Sequence, residues 1–239
     1  MKEDVYLKLL LQEPIYIKDM GLIYQPLIKD IVEIGEEKLN KYIGAISISK
    51  ELLINAETKD LDSITNFDVI FSLPDKDYQK TLIEAIQFFT NQKVYFLQEV
   101  WFVTVGKQGR LHKNNYDEFV DIVLKMFNRQ RVKSDYKRTD KMSEKQKEIY
   151  YKITKHRREQ EEKNRFLLSD IINVVKHGGT SFITKEQIKN MTYFELMKCF
   201  ETIISKYNYG EFLMYRTSPN FKVEESVQHW TISIKNNNE

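Results

Sequence analysis

The first apolar positions, Val5, Leu7, Leu9 and Leu11, alternate with Tyr6, Lys8 and Gln12. A period of two is the pattern of a half-buried strand, so the chain is expected to open in β structure. Pro14 breaks the run, Ile15 and Ile17 resume it, and Gly21 marks a turn before Leu22-Ile23-Tyr24. Pro26 suits a first helical turn, where its missing N–H costs nothing. Behind it Leu27, Ile28, Ile31, Ile34 and Leu39 recur at helical spacing, with Lys29, Asp30, Glu33, Glu36 and Glu37 between them. The pattern predicts a small antiparallel sheet followed by one helix.

A pair of helices fits residues 52–73, and a clearer helix follows Pro74, with Tyr78, Leu82, Ala85, Ile86 and Phe89 on one face. Val94-Tyr95-Phe96-Leu97 and Val100-Trp101-Phe102-Val103-Thr104-Val105 are rich in β-branched and aromatic residues and predict strands. Gly106-Lys107-Gln108-Gly109 reads as a hairpin turn into Arg110-Leu111-His112. It lacks the Lys-Ser/Thr of a phosphate-binding loop. Asn115, with Glu118 three residues on, carries a capping-box signature. The helix it opens is expected to bury Tyr116, Phe119, Val120, Val123, Leu124 and Phe127.

From Lys125 to Arg165 the pattern changes: fifteen Lys or Arg face seven Asp or Glu, and beyond Tyr136 the apolar residues thin out to Met142, Ile149, Tyr150, Tyr151 and Ile153. A stretch this charged reads as an exposed helix or a partly disordered helical linker. Beyond it, Phe166, Leu168, Ile171, Ile172 and Val175 form a helical stripe, with Gly178-Gly179 where a C-cap needs glycine. Thr184 with Gln187 and Thr192 with Glu195 are two further capping-box signatures, the second opening a long helix through Met197, Phe200, Ile204 and Tyr207. Gly210 and Ser218-Pro219 are expected to interrupt that helix. The tail from Phe221 to Ile234 fits helix and strand equally.

Composition narrows the function. The chain has 239 residues, 41% of them hydrophobic and 13% aromatic, enough for a folded core or for two small domains. A net charge of +2 gives the whole molecule no electrostatic bias toward nucleic acid. Cys199 is the only cysteine, which excludes an internal disulfide and suits a reducing compartment. No apolar run approaches the roughly 20 residues of a membrane span, and the acidic Met1-Lys2-Glu3-Asp4 start is unlike a secretory signal. These features predict a protein of the cytoplasm. His112, His156, His177 and His229 are scattered, so no metal cluster forms at helical spacing. Cys199 falls between Met197 and Phe200 on an amphipathic helix, where a small thiol packs well. Adjacent carboxylates such as Glu36-Glu37 point to different sides of a helix. No catalytic residue, cofactor or metal is expected.

Two sets of residues are candidates for partner contact. Lys152, Lys155, Arg157 and Arg158 form a basic cluster able to neutralise phosphates. Glu159, Glu161 and Glu162 follow at once, however, so a solvated linker is favoured over nucleic-acid binding. Tyr209, Phe212, Met214 and Tyr215 are candidate apolar contacts, beside the expected helix breaks.

Several stretches resemble a known group. Glu13-Pro14-Ile15-Tyr16-Ile17, Ile23-Tyr24-Gln25-Pro26-Leu27-Ile28-Lys29-Asp30-Ile31 and Gly35-Glu36-Glu37 resemble the opening of tail assembly chaperones of phages and prophages of Gram-positive bacteria, with Leu27 where that group more often has Thr. Residues Phe119 to Phe127, Leu167 to Ile172 and Met191 to Leu196 are similar to later parts of the same group. The resemblance implies a non-catalytic protein that binds tape-measure and tail-tube subunits in the cytoplasm of the infected or lysogenic host. It leaves the oligomeric state open. A structural subunit of the virion, in neck or tail, and a nucleic-acid-binding accessory protein are the alternatives.

The fold expected is therefore α+β and predominantly helical. Residues 1–130 would form an N-terminal domain with small antiparallel β elements, 131–165 a charged helical linker, and 166–239 an all-helical C-terminal domain. Such a linker would let each domain grip a different partner.

Overall fold

The computed structural model describes residues 3–50, 64–131, 142–163, 166–220 and 228–232, without the side chains of residues 3, 158, 159 and 161–163. In chain order the elements are α1 (Glu3–Leu10), β1 (Ile15–Ile17), β2 (Gly21–Ile23), α2 (Ile28–Ile34), α3 (Glu36–Ser47), α4 (Asn66–Ser72), α5 (Lys76–Thr90), β3 (Val94–Leu97), β4 (Phe102–Val105), β5 (Gly109–Leu111), α6 (Tyr116–Met126), α7 (Glu144–Lys163), α8 (Leu168–Gly178), α9 (Lys185–Lys189) and α10 (Tyr193–Thr217). The fold is α+β, helices dominate, and the described strands form two small antiparallel sheets. Most of the expected 52–73 helix pair lies outside the described residues; α4 is its end.

The chain divides into two compact units. One takes Met1–Glu13, Gln25–Glu33 and Leu168–Glu239; the other takes Pro14–Tyr24 and Ile34–Leu167. Residues 1–13 and 25–33, expected in the N-terminal domain, thus cluster with the C-terminal helices.

The second unit holds both sheets. Ile15 pairs with Ile23 and Ile17 with Gly21, so Ile15, Ile17 and Ile23 are buried while Tyr16 and Leu22 face out. β3, β4 and β5 form a meander, with Val94, Val103, Val105 and Leu111 buried on its inner face. The second strand begins at Phe102, later than expected, because Val100 and Trp101 are used in the turn from β3; Trp101 has φ 51° and its Nε1 donates to Asp68 Oδ1 at 2.9 Å. Gly109 is required by closeness, not by a left-handed backbone: a Cβ there would lie 2.2 Å from the Met20 carbonyl oxygen. The core is aromatic. Phe89 meets Phe119 and Phe127 edge-on with centroids 6.5 and 6.0 Å apart, and Phe67 meets Tyr116 at 5.7 Å. The Tyr116 hydroxyl, fully buried, donates to the Ile46 carbonyl at 2.8 Å. α6 and the Phe127 that caps it bury every apolar residue expected of them.

The Asn115 capping box does not form. Asn115 precedes α6, yet its side chain makes no cap bond. Its Oδ1 accepts from the His112 N–H at 2.8 Å, and its Nδ2 donates to the carbonyls of Lys18 and Arg110 at 3.1 and 2.9 Å. The amide therefore ties the β1–β2 turn to the end of β5, a bond set that a cap-directed side chain could not make.

The other unit is helical. Its opening is a helix where the alternation of Val5, Leu7, Leu9 and Leu11 predicts a strand. Only Leu9 of that set is fully buried, and Tyr6 packs edge-on against Phe194 at 5.6 Å. The segment is rich in Leu and Lys, has one β-branched residue, and so sits comfortably in a helix that packs by Tyr6 and Leu9. The single helix expected after Pro26 is two, α2 and α3, because Gly35 at φ 86° ends the first. Leu27 pairs with Thr192 in an isolated bridge, and the Ile28 N–H donates to the Met191 carbonyl at 2.9 Å. α8 and α10 pack through Leu168, Ile171, Val175, Leu196, Phe200 and Ile203, all buried.

Thr184 and Gln187 make a complete capping box for α9. Thr192 makes only its half for α10, because the Glu195 carboxylate accepts from Gln12 Nε2 instead. α10 does not break at Gly210 and runs on to Thr217. One mid-helix glycine costs only about 1 kcal/mol, and Glu211, Leu213 and Met214 after it are strong helix formers. The proline does end it: Ser218 is extended (ψ 130°), as the residue before proline must be. In the tail, 230–232 form a helical turn.

Candidate functional site

α10 is the floor of an open groove of about 1000 Å³ within the helical unit. Leu10 of α1 and the segment from His177 to Ile183 form its walls, and Cys199, Ile203, Tyr207, Gly210 and Met214 lie along the floor. These floor positions recur three or four apart, so one face of the helix supplies them all. Gly178 and Gly179 keep the wall thin where Ile203 approaches: a Cβ at Gly178 would lie 3.2 Å from Ile203 Cγ2. At Gly210 an added Cβ would meet nothing within 4 Å. The floor is therefore bare backbone there, open to close approach by another chain.

Toward its distal end the floor carries exposed apolar side chains, Tyr207 at 59% and Met214 at 67%, without a buried residue between them, and the exposed Lys206 and Glu211 line it as well. Several charges beside it are occupied. Glu195 accepts from Gln12, Lys198 pairs with Glu201 at 2.8 Å, and Lys206 lies over the Trp230 ring at 4.8 Å. Cys199 lies half-buried in the floor, and burial first, then the nearby Glu195, pushes its thiol above the ordinary cysteine value. That favours the protonated thiol at neutral pH, the opposite of what a nucleophile needs.

Of the apolar candidates, Met214 lines the groove. Tyr209 turns off this face, edge-on to the His229 ring at 4.8 Å. Phe212 is half-buried and Tyr215 is exposed, and neither lines the groove. Tyr207, Gly210 and Cys199 join Met214 only once the helix is known to continue through Gly210.

The basic cluster lies on α7, where Lys152, Lys155 and Arg157 are exposed; the Arg158 side chain is outside the described residues. At 3.6 residues per turn Arg157 is about 140° around the helix from Lys152, so the cluster is not one stripe. Lys152 is also paired with Glu148 at 2.8 Å and Lys147 with Glu144 at 2.9 Å. Acid and base alternate along α7, which weakens its field at a phosphate backbone.

Among the described residues no group of three or more His, Cys, Asp or Glu could hold a metal ion, and no helix is long and apolar enough to cross a membrane. No protein-family model, curated protein or solved structure matches the chain.

Proposed function

We propose that this chain is a non-catalytic tail assembly chaperone of a phage or prophage, holding an apolar segment of a tail protein in the α10 groove. The groove itself carries the reading: a long apolar floor, exposed at its distal end, beside charges largely engaged within the unit. Burying apolar surface there would contribute about 25 cal/mol per Å², and such burial is the main driving force of most protein association. The resemblance of the Glu13–Ile31 and Met191–Leu196 stretches to tail assembly chaperones supplies the class of partner, tape-measure and tail-tube subunits, and the host cytoplasm as the place of action.

The test is affinity purification of the tagged chain from phage-producing cells after nuclease treatment, with bound proteins identified by mass spectrometry. Tape-measure and tail-tube proteins should be recovered with the wild type and lost with Tyr207→Asp plus Met214→Asp. Recovery that ignores those changes would move the binding surface elsewhere. Nucleic acid before treatment, with no tail protein after it, would sink the reading.

A further inference from the structure

We infer that the outward face of the β3–β5 meander, with the open pocket at its β5 edge, binds single-stranded nucleic acid. Strand alternation sets this face. Val94, Val103, Val105 and Leu111 are buried, so Tyr95, Leu97, Phe102, Thr104 and Arg110 stand on the opposite side of the sheet. The register brings them together: Thr104 has Tyr95 opposite it on one neighbouring strand and Arg110 on the other, and Leu97 is opposite Phe102. Tyr95 is 59% exposed, and the Arg110 guanidinium lies over the Phe102 ring at 5.2 Å. An open tyrosine ring and a guanidinium plane are the kinds of surface on which unpaired bases stack.

A phosphate site lies beside the stacking surface. An open pocket of about 550 Å³ is lined by Lys107, Gln108, Arg110, His112 and Asp19. Lys107, Gln108, Arg110 and His112 can all donate N–H groups, and the first and third carry exposed positive charge. Asp19 is the one acid of this lining, and its carboxylate is turned toward His112, 3.8 Å from Nε2. Lys18, Lys93 and Lys113 add exposed charge at the ends of the strands. Arg110 belongs to both parts, so a base on the sheet has its own phosphate within reach of the pocket. Neighbouring strands are about 4.8 Å apart, which puts Tyr95 about 10 Å across the sheet from Arg110, room for a short run of nucleotides. A duplex does not fit, since its base faces are stacked inside it and a flat sheet face offers nothing to enter a groove. A purely apolar protein partner would use the rings and leave the donor-lined pocket without a role.

The test is fluorescence anisotropy of a short labelled oligo-deoxythymidine or oligo-uridine strand with the full chain, no tail protein being present. Wild type should bind it, more weakly as salt rises. Tyr95→Ala should weaken binding roughly fivefold or more, while Tyr95→Phe, which keeps the ring, should bind like wild type. Lys107→Ala should lower the slope of affinity against salt by about one. The same strand paired with its complement should compete poorly. Tyr95 and Lys107 are exposed, so urea unfolding of these variants should superimpose on wild type. A wild type that does not bind, a duplex that competes equally, or a Tyr95→Ala variant that binds like wild type would each overturn the inference. So would loss of binding in the α7 variant of Lys152, Lys155 and Arg157 alone, or loss of tail protein rather than oligonucleotide from Tyr95→Ala. The sheet and the α10 groove belong to different units, so failure here leaves the tail-protein reading standing.

Discussion

Replacing Asn115 with aspartate separates two readings of one residue. If Asn115 were a helix cap, aspartate would serve equally well, accepting from the first-turn N–H groups and favoured by the helix dipole. The structure instead uses it as a pin between the β1–β2 turn and β5. Asn115 is 5% exposed, and its amide donates twice, to Lys18 and Arg110, while its oxygen accepts once, from His112. Asn115→Asp keeps the acceptor but loses both donors and turns a carboxylate oxygen toward a carbonyl. Each of the two carbonyls left without its donor costs about 1–3 kcal/mol; with some water access at the exposed Lys18 and Arg110, the sum is about 2–4 kcal/mol. Asn115→Ala should cost a similar amount, and Glu118→Ala almost nothing, since no box exists. Urea unfolding followed by Trp101 fluorescence in a Trp230→Phe background reports this unit alone. The aspartate variant should also regain stability at acid pH, where a protonated carboxyl can donate again. Stability within about 0.5 kcal/mol of wild type at neutral pH, the range of an ordinary surface change, would refute the pin.

Three further outcomes are expected. Burial pushes the Tyr78 hydroxyl up to about 12 and Tyr116 well above its ordinary value, so the fold keeps these protons while the unfolded chain releases them from about pH 10. Stability should be level below that pH and fall as pH rises toward 12, with a shallower fall in Tyr78→Phe; equal slopes would contradict the assignment. Cys199 should react slowly with a thiol reagent at neutral pH and faster on alkalinisation, and Glu195→Gln, which removes the second cause of its raised value, should speed it; rapid neutral labelling of wild type would refute this. Changing Lys152, Lys155 and Arg157 together to glutamate should leave unfolding within about 0.5 kcal/mol, as exposed ion pairs contribute little, and DNA retention at low salt unchanged. A steeply salt-dependent DNA affinity in wild type, lost in that variant, would make α7 a nucleic-acid surface.

Elements whose stability is decided locally were legible in the residues. Val94–Leu97 and Phe102–Val105 carry β-branched and aromatic side chains around a Gly106–Gly109 turn, and they are strands. Thr184 and Gln187 are each other's partners, so their capping box could be read from four residues of sequence and is complete. Where the partner is distant, the same signs misled. Val5, Leu7, Leu9 and Leu11 satisfy a period of two, but the choice is made by Tyr6 against Phe194, far along the chain. Thr192 and Glu195 have the same spacing as the complete box, yet Gln12 takes the carboxylate. Gly109 reads as a turn glycine, yet the left-handed residue of that turn is Gly106, and Gly109 is needed because the carbonyl of Met20 approaches it, which no local pattern could reveal.

The groove illustrates the same division at the level of function. Tyr209, Phe212, Met214 and Tyr215 are neighbours in sequence, and a break at Gly210 would have freed them as a loop. With α10 continuous, the relevant neighbours lie three and four residues apart, and Met214 shares its face with Tyr207 and Gly210 rather than with Phe212. Gly210 then changes meaning. As a helix breaker it would expose side chains at random; inside a helix it removes one side chain from a face otherwise lined by Ile203, Tyr207 and Met214. A bare position on an otherwise apolar face is what the proposed tail-protein segment would need in order to approach the helix closely.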